Sequence, residues 1–299
     1  MKKTQIILSF LFFSSVVFSQ GCSDAGICSI NKGFDAKDKS AKNAIDFGTV
    51  YGLGEADVTY ISFYATYTRQ FSDRFSLSSK FTASSANGNF GTKAAFGDAF
   101  LIGNYSFKEE KNKQFSALVG FKFPFNSSNL KINGYSLPTD YQSSLGTFDL
   151  FLGGNFKIHN FDFNSALQIP IVNNNKNSYF KEFSGTDNFP STNLFIRKPD
   201  VLFRATYTIK TLSNKLTIKP NMLLIYHLGE VSYENVFGNR ITISGSEGLT
   251  VNANLIGAFV ISKSKSIELS LATPLAVRAI RPDGLTRSFV VGLQYHSSF

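Results

Sequence analysis

The 299-residue sequence contains no tryptophan, two cysteines, two methionines and three histidines. Beyond the first twenty residues it has no run of about 18 uninterrupted apolar residues, so no transmembrane helix follows them. It has no basic helix or basic cluster either. The basic side chains are scattered through turns and alternate positions, so the formal charge of +9 does not make a nucleic-acid surface, and nucleic acid is set aside as a partner. Two cysteines without a neighbouring histidine cannot furnish the four ligands of a structural zinc. No Gly-rich phosphate loop or Walker-type motif is present, so neither metal nor cofactor is expected.

What the chain does have is aromatic bulk: 32 Phe and 12 Tyr in a sequence that is 43% hydrophobic. Its first 19 residues read as an export signal, with Lys2 and Lys3 as the charged start, an apolar run over Ile6–Phe13 and the cleavage pattern Val17-Phe18-Ser19. Removing the two lysines leaves 28 basic against 21 acidic residues, or +7. Residues 20–43 are polar and lack strand alternation, and read as a periplasmic tail or a plug. Cys22 and Cys28 fall in this segment, where an oxidising periplasm favours a small disulfide loop; the alternative is lipidation of Cys22, although Ser19 stands where a lipobox wants Leu.

The last twelve residues, SFVVGLQYHSSF, alternate strictly. Phe289, Val291, Leu293 and Tyr295 share one face and lead to the terminal Phe299, while Gly292, Gln294, His296 and Ser298 share the other. From Ala44 onward about twelve such segments follow one another, each near the length a tilted membrane strand needs. Connections at one end are short (Ser72–Arg74, Lys108–Lys113, His159–Asn160, Lys210–Lys215, Ser262–Lys265). At the other end lie Gly52–Ala56, Ser85–Ala95, Asn126–Gly146, Asn173–Lys198, Leu228–Gly248 and Arg278–Thr286. An even strand count returns both chain ends to the short-turn side.

Hydrocarbon leaves each unpaired backbone group several kcal/mol out of pocket, so a sheet that crosses it must close. The fold class expected is therefore all-β: a transmembrane antiparallel up-and-down barrel over residues 44–299, preceded by the short N-terminal segment. With Trp absent, the interfacial girdles fall to Tyr51, Tyr67, Tyr105, Tyr207, Tyr226 and Tyr295. The tail resembles the C-terminal assembly signal of bacterial outer-membrane barrels, which implies outer-membrane lipid as surroundings and the barrel-assembly machinery, engaging Phe299, as partner. The GFKFP and LQIP stretches, with their strand–Pro–loop rhythm, resemble the outer-membrane proteins of the MetA pathway of phenol degradation, a group related to FadL-like transporters. That resemblance implies a Gram-negative outer membrane and diffusion of small hydrophobic compounds. The FadL type has about fourteen strands and an Asn-Pro-Ala hatch signature, which this sequence lacks.

Charges of inward parity, candidates to line the lumen, are Asp46, Lys80, Asp98, Lys122, Asp149, Lys157, Asp162, Asp200, Arg204, Lys219 and Glu268. They form either a salt-bridge network that fills the bore or a polar path for solute. Pro124, Pro170, Pro220 and Pro274 lie in strands; each implies a bulge, a strand end or a kink in the wall. The function expected is a channel or transporter for passive uptake of a small solute. The alternatives are an interaction barrel whose loop aromatics (Tyr135, Tyr141, Tyr179, Phe180, Phe183, Phe189, Tyr233, Phe237) bind a partner, and a barrel hydrolase with His227 as base.

Overall fold

A computed structural model describes residues 41–110, 112–211, 215–284 and 288–299. The export signal, residues 20–40 and the Cys22–Cys28 pair lie outside the described residues.

Twelve antiparallel strands form the wall. They are β1 (Asn43–Leu53), β2 (Thr59–Gln70), β3 (Phe75–Gly88), β4 (Gly91–Ser106), β5 (Lys113–Pro124) and β6 (Thr147–Ile158). The second half comprises β7 (Phe161–Asn173), β8 (Asp200–Tyr207), β9 (Leu216–His227), β10 (Gly248–Ser262), β11 (Lys265–Ala276) and β12 (Phe289–Ser298). After Thr208 a two-residue strand, Ile209–Lys210, continues the path of β8. Each strand pairs with its sequence neighbours, and β1 pairs with β12, so the sheet has no edge. Asn43 and Phe299 close the seam by exchanging two backbone hydrogen bonds of 2.8 Å.

The pleat sorts the side chains. Outward go Phe47, Phe63, Phe81, Phe115, Leu255 and Leu293, each about half exposed on the bare protein. Of the tyrosines, Tyr67, Tyr105, Tyr207 and Tyr295 sit toward the short-turn end and Tyr51 and Tyr226 toward the other, all outward. Inward go Ser62, Thr66, Ser78, Thr82, Asn164 and Gln294, all buried. The terminal alternation, Phe289 to Phe299, follows this rule.

One sequence expectation needs correction. Ser85–Ala95 is not a loop: β3 and β4 run through it as one long hairpin that turns at Asn89–Phe90. In β4 the parity changes midway, because a bulge sets Gly97 and Asp98 together opposite Thr82. The Thr82 hydroxyl repairs the ladder there, accepting from the Asp98 N–H at 2.8 Å and donating to the Asp98 carbonyl at 3.1 Å. Before the bulge even-numbered Phe96 points out; after it Asp98, Phe100, Ile102 and Asn104 point in.

The prolines sit where the ladder already gives way. Pro124 is the last residue of β5. Pro170 and Pro274 each adjoin a bulge, Ile171 and Leu275 being the extra residues. Pro220 lies at the two-residue gap in the β8–β9 ladder, where the Thr208 N–H turns to Asn160. The same register resumes beyond the gap.

Candidate functional site

Three layers stack inside the cylinder. At the long-loop mouth is a buried ion network. Lys122 Nζ lies 2.9 Å from Asp149 and 4.0 Å from Asp98, and donates to Thr147 Oγ1 at 3.0 Å. Arg197 reaches Asp149 at 3.7 Å and pairs with Asp200, which also holds His227. The Gln168 amide donates to Asp149, and Ser144 to Asp98. Lys122, Asp149 and Asp200 are 1% exposed or less, so each charge depends on its partners for its solvation. Arg197 belongs to the loop after β7. Burial works against its charge, yet the carboxylates of Asp200 and Asp149 outweigh that and raise its pKa.

One pleat deeper the wall from β4 to β9 turns apolar. Phe100, Ile102, Leu118, Phe151, Ala166, Leu202 and Leu223 form one buried cluster, with Ile225 packed against it. The facing wall, from β10 through β12 to β3, carries mostly small and polar side chains, among them Ser62, Ser84, Asn252, Gly292 and Gln294. The bore is thus two-sided: greasy on one flank and hydroxylated on the other.

Toward the short-turn end, Asp46 takes His296 Nδ1 at 2.6 Å, and Gln294 accepts from the Tyr64 hydroxyl at 2.7 Å. The Tyr64 ring lies flat over Gly48, in space that any Cβ at that position would occupy. Lys80 sits 4.3 Å above the same ring. Asp162 accepts amide N–H groups from Asn155 and Asn164 and stands opposite Lys157 across the β6–β7 ladder.

The mouth is roofed. Residues 125–146 and 174–199 fold over it and bury Leu137, Tyr141, Tyr179 and Phe189 against Val58, Tyr60 and Ala86. A third loop, residues 228–247, packs Val231 and Ile243 on Phe195. The fourth, after β11, crosses to the first: Thr139 Oγ1 donates to the Pro282 carbonyl at 2.7 Å, and Gly284, at φ 66°, presses on the Thr139 backbone. Arg278 fixes this strap by pairing with Asp283 and donating to the Ser246 carbonyl at 2.6 Å, while Arg281 pairs with Glu55. Burial pushes the Asp283 carboxyl up, but Arg278, His227 and Arg197 more than reverse this and hold it low. Among the described residues no cation does the same for Asp140 in the same roof. Burial, with a lesser push from Asp283, lifts it to about 7 against the pull of its backbone hydrogen bond.

Of the charges expected to face the lumen, Asp98, Lys122, Asp149 and Asp200 meet in the mouth network. Asp46, Lys80 and Arg204 are buried elsewhere on the inner wall, and Lys157, Asp162, Lys219 and Glu268 are half-buried toward the short turns. His227 is drawn into the network. The loop aromatics divide: Tyr141, Tyr179 and Phe189 fold inward, whereas Tyr135, Phe183 and Phe237 stay more than 70% exposed. Arg197, Arg278, Asp283 and Asp140 escaped the sequence reading because strand parity says nothing about loops. Among the described residues no group of three or more His, Cys, Asp or Glu side chains is placed to hold a metal ion.

No family model and no curated protein matches the sequence. Solved structures do. The COG4313 outer membrane channel from Pseudomonas putida F1 superposes with a TM-score of 0.58 over 89% of this chain and 98% of that one, at 14% identity. The NanC porin superposes with a TM-score of 0.50 over 85% of this chain and 98% of that one, at 8% identity. At these identities what is shared is the fold, and the fold of this chain is that of the outer-membrane β-barrels.

Proposed function

We propose that the protein is an outer-membrane channel of a Gram-negative cell that admits a small, largely apolar solute by passive uptake. The observation that carries this reading is the inner apolar flank, Phe100 to Leu223, within an edgeless cylinder whose outer face is also apolar. A barrel serving only as a structural anchor has no need of a greasy interior, and a general porin wets its bore throughout. Membership of the MetA-pathway and FadL-like group is part of the same proposal. Its support is the strand–Pro–loop rhythm at Pro124 and Pro170; twelve strands against about fourteen is a departure from it. Assembly through Phe299 by the barrel-assembly machinery belongs to the proposal too.

The test is reconstitution into planar bilayers together with solute flux into proteoliposomes. Discrete conductance steps, with faster entry of small apolar-bodied solutes than of sugars of equal size, are expected. A barrel that stays silent across voltage and pH, and passes neither solute class, overturns the reading.

A further inference from the structure

Among the described residues one buried amide in the bore is bare at both of its polar atoms. Asn252 is fully buried, and neither its amide nitrogen nor its amide oxygen has a hydrogen-bond partner. The register shows why. One pleat away on the same face of β10, Asn254 stands opposite Asn221 on β9 and donates to it at 2.7 Å. Asn252 instead stands opposite Leu223 on β9 and Pro274 on β11, and neither side chain can accept or donate. The hydroxyl of Thr250, the next inward residue toward the mouth, is likewise buried without a partner, opposite Ile225. Buried amides are almost always paired, because leaving one bare forfeits its bonds to water. Here a donor, an acceptor and a hydroxyl lie in one column directly beside the apolar flank formed by Leu202, Leu223 and Ile225.

Building on the channel reading, we propose that Asn252 and Thr250 form a binding station for a small uncharged solute with an apolar body and one group that both donates and accepts, such as an alcohol or a primary amide. The apolar body lies against Leu223 and Ile225, and the polar group completes the Asn252 amide. A carboxylate of the same length is rejected, because it can only accept and so leaves the Asn252 amide oxygen bare. The nearby cations are also committed: Arg204, which stands on β8 beyond Leu223, has interactions of its own, and Lys122 and Arg197 at the mouth hold Asp149 and Asp200.

The probes are butanamide and butyrate, titrated against the full chain in lipid nanodiscs while the Asn252 side-chain amide resonances are followed by NMR. Butanamide should shift them saturably and butyrate should not. Asn252→Leu, close in volume, should weaken butanamide binding about tenfold, the weight of one neutral hydrogen bond, as read from the resonances of neighbouring Leu223 and Ile225. Should that variant fail to fold, Thr250→Val supplies the same reading. Equal binding of butyrate, unchanged affinity in Asn252→Leu, or no binding to the wild type each overturns the station. Ion conductance of the wild type is recorded alongside. If conductance is present and binding absent, the station falls and the channel stands; binding without conductance does the reverse.

Discussion

Asp140 makes the roof sensitive to pH in a direction that can be worked out. Its carboxyl rises from 3.8 to about 7 in the folded roof, a little over three units at about 1.4 kcal/mol each, so at most about 4 kcal/mol is at stake. The raised value means that the roofed state holds a proton that the opened state releases. Protection is therefore greatest below pH 4, falls as the pH climbs toward 7, and is level above it. Between pH 5 and 7 the roof should lose about 50-fold in protection, the loss slackening as the pH reaches the folded pKa. Amide hydrogen exchange reads this locally at Tyr141 and Gln142, whose N–H groups donate to Pro138 and Thr139 in the turn that carries Asp140. Asp140→Asn keeps the shape and removes the proton, so its protection factors, corrected for intrinsic exchange, should be flat over that interval. An Asp140→Asn roof that loosens with pH as the wild type does would refute the argument and move the titration to another group.

Three further outcomes are expected. Lys122→Met strands Asp149 and Asp98 in the mouth network and should cost about 3–5 kcal/mol in urea unfolding from lipid vesicles; a loss below about 1 kcal/mol would mean that Arg197 alone suffices. Gly284→Ala places a methyl group on the Thr139 backbone at a left-handed φ, which costs about 1–2 kcal/mol before the clash is counted. It should release the strap and raise conductance; unchanged current would show that residues 277–284 do not obstruct the bore. Phe63→Lys puts a charge on the lipid face of β2 and should cost about 2–4 kcal/mol if that residue lies near mid-bilayer, whereas a neutral result would place the belt elsewhere.

The wall was legible in the sequence because lipid on one side and a crowded polar bore on the other impose a period of two on every strand. Legibility ended where one of those conditions ended. The β3–β4 hairpin around Ser85–Ala95 is built of Ser, Ala, Asn and Gly and so carries no greasy alternation, which is why it read as loop. Phe96 and Phe100, an even number of residues apart, fall on opposite faces because the Gly97–Asp98 bulge separates them, which strand parity alone does not reveal. The inner apolar flank hid in plain runs such as Leu150-Phe151-Leu152 and Met222-Leu223-Leu224-Ile225. Consecutive apolar residues mark burial on both faces, the one signal that could have revealed it. The lumen charges were found by parity, but Arg197, the partner of Asp149 and Asp200, arrives from a loop, as does the whole Arg278–Asp283 pair, and loop paths depend on packing between segments distant in the chain.

Midway along the wall the calibre of the bore hangs on a missing methyl group. Because residue 48 is glycine, the Tyr64 ring can recline against the barrel staves, with its hydroxyl moored to Gln294 and the Lys80 ammonium parked above it. Any larger residue there would push the phenol off the wall into the bore and take from Lys80 the ring beneath it, changing width and charge placement in one stroke. Width and polarity at that depth are thus coupled through one residue.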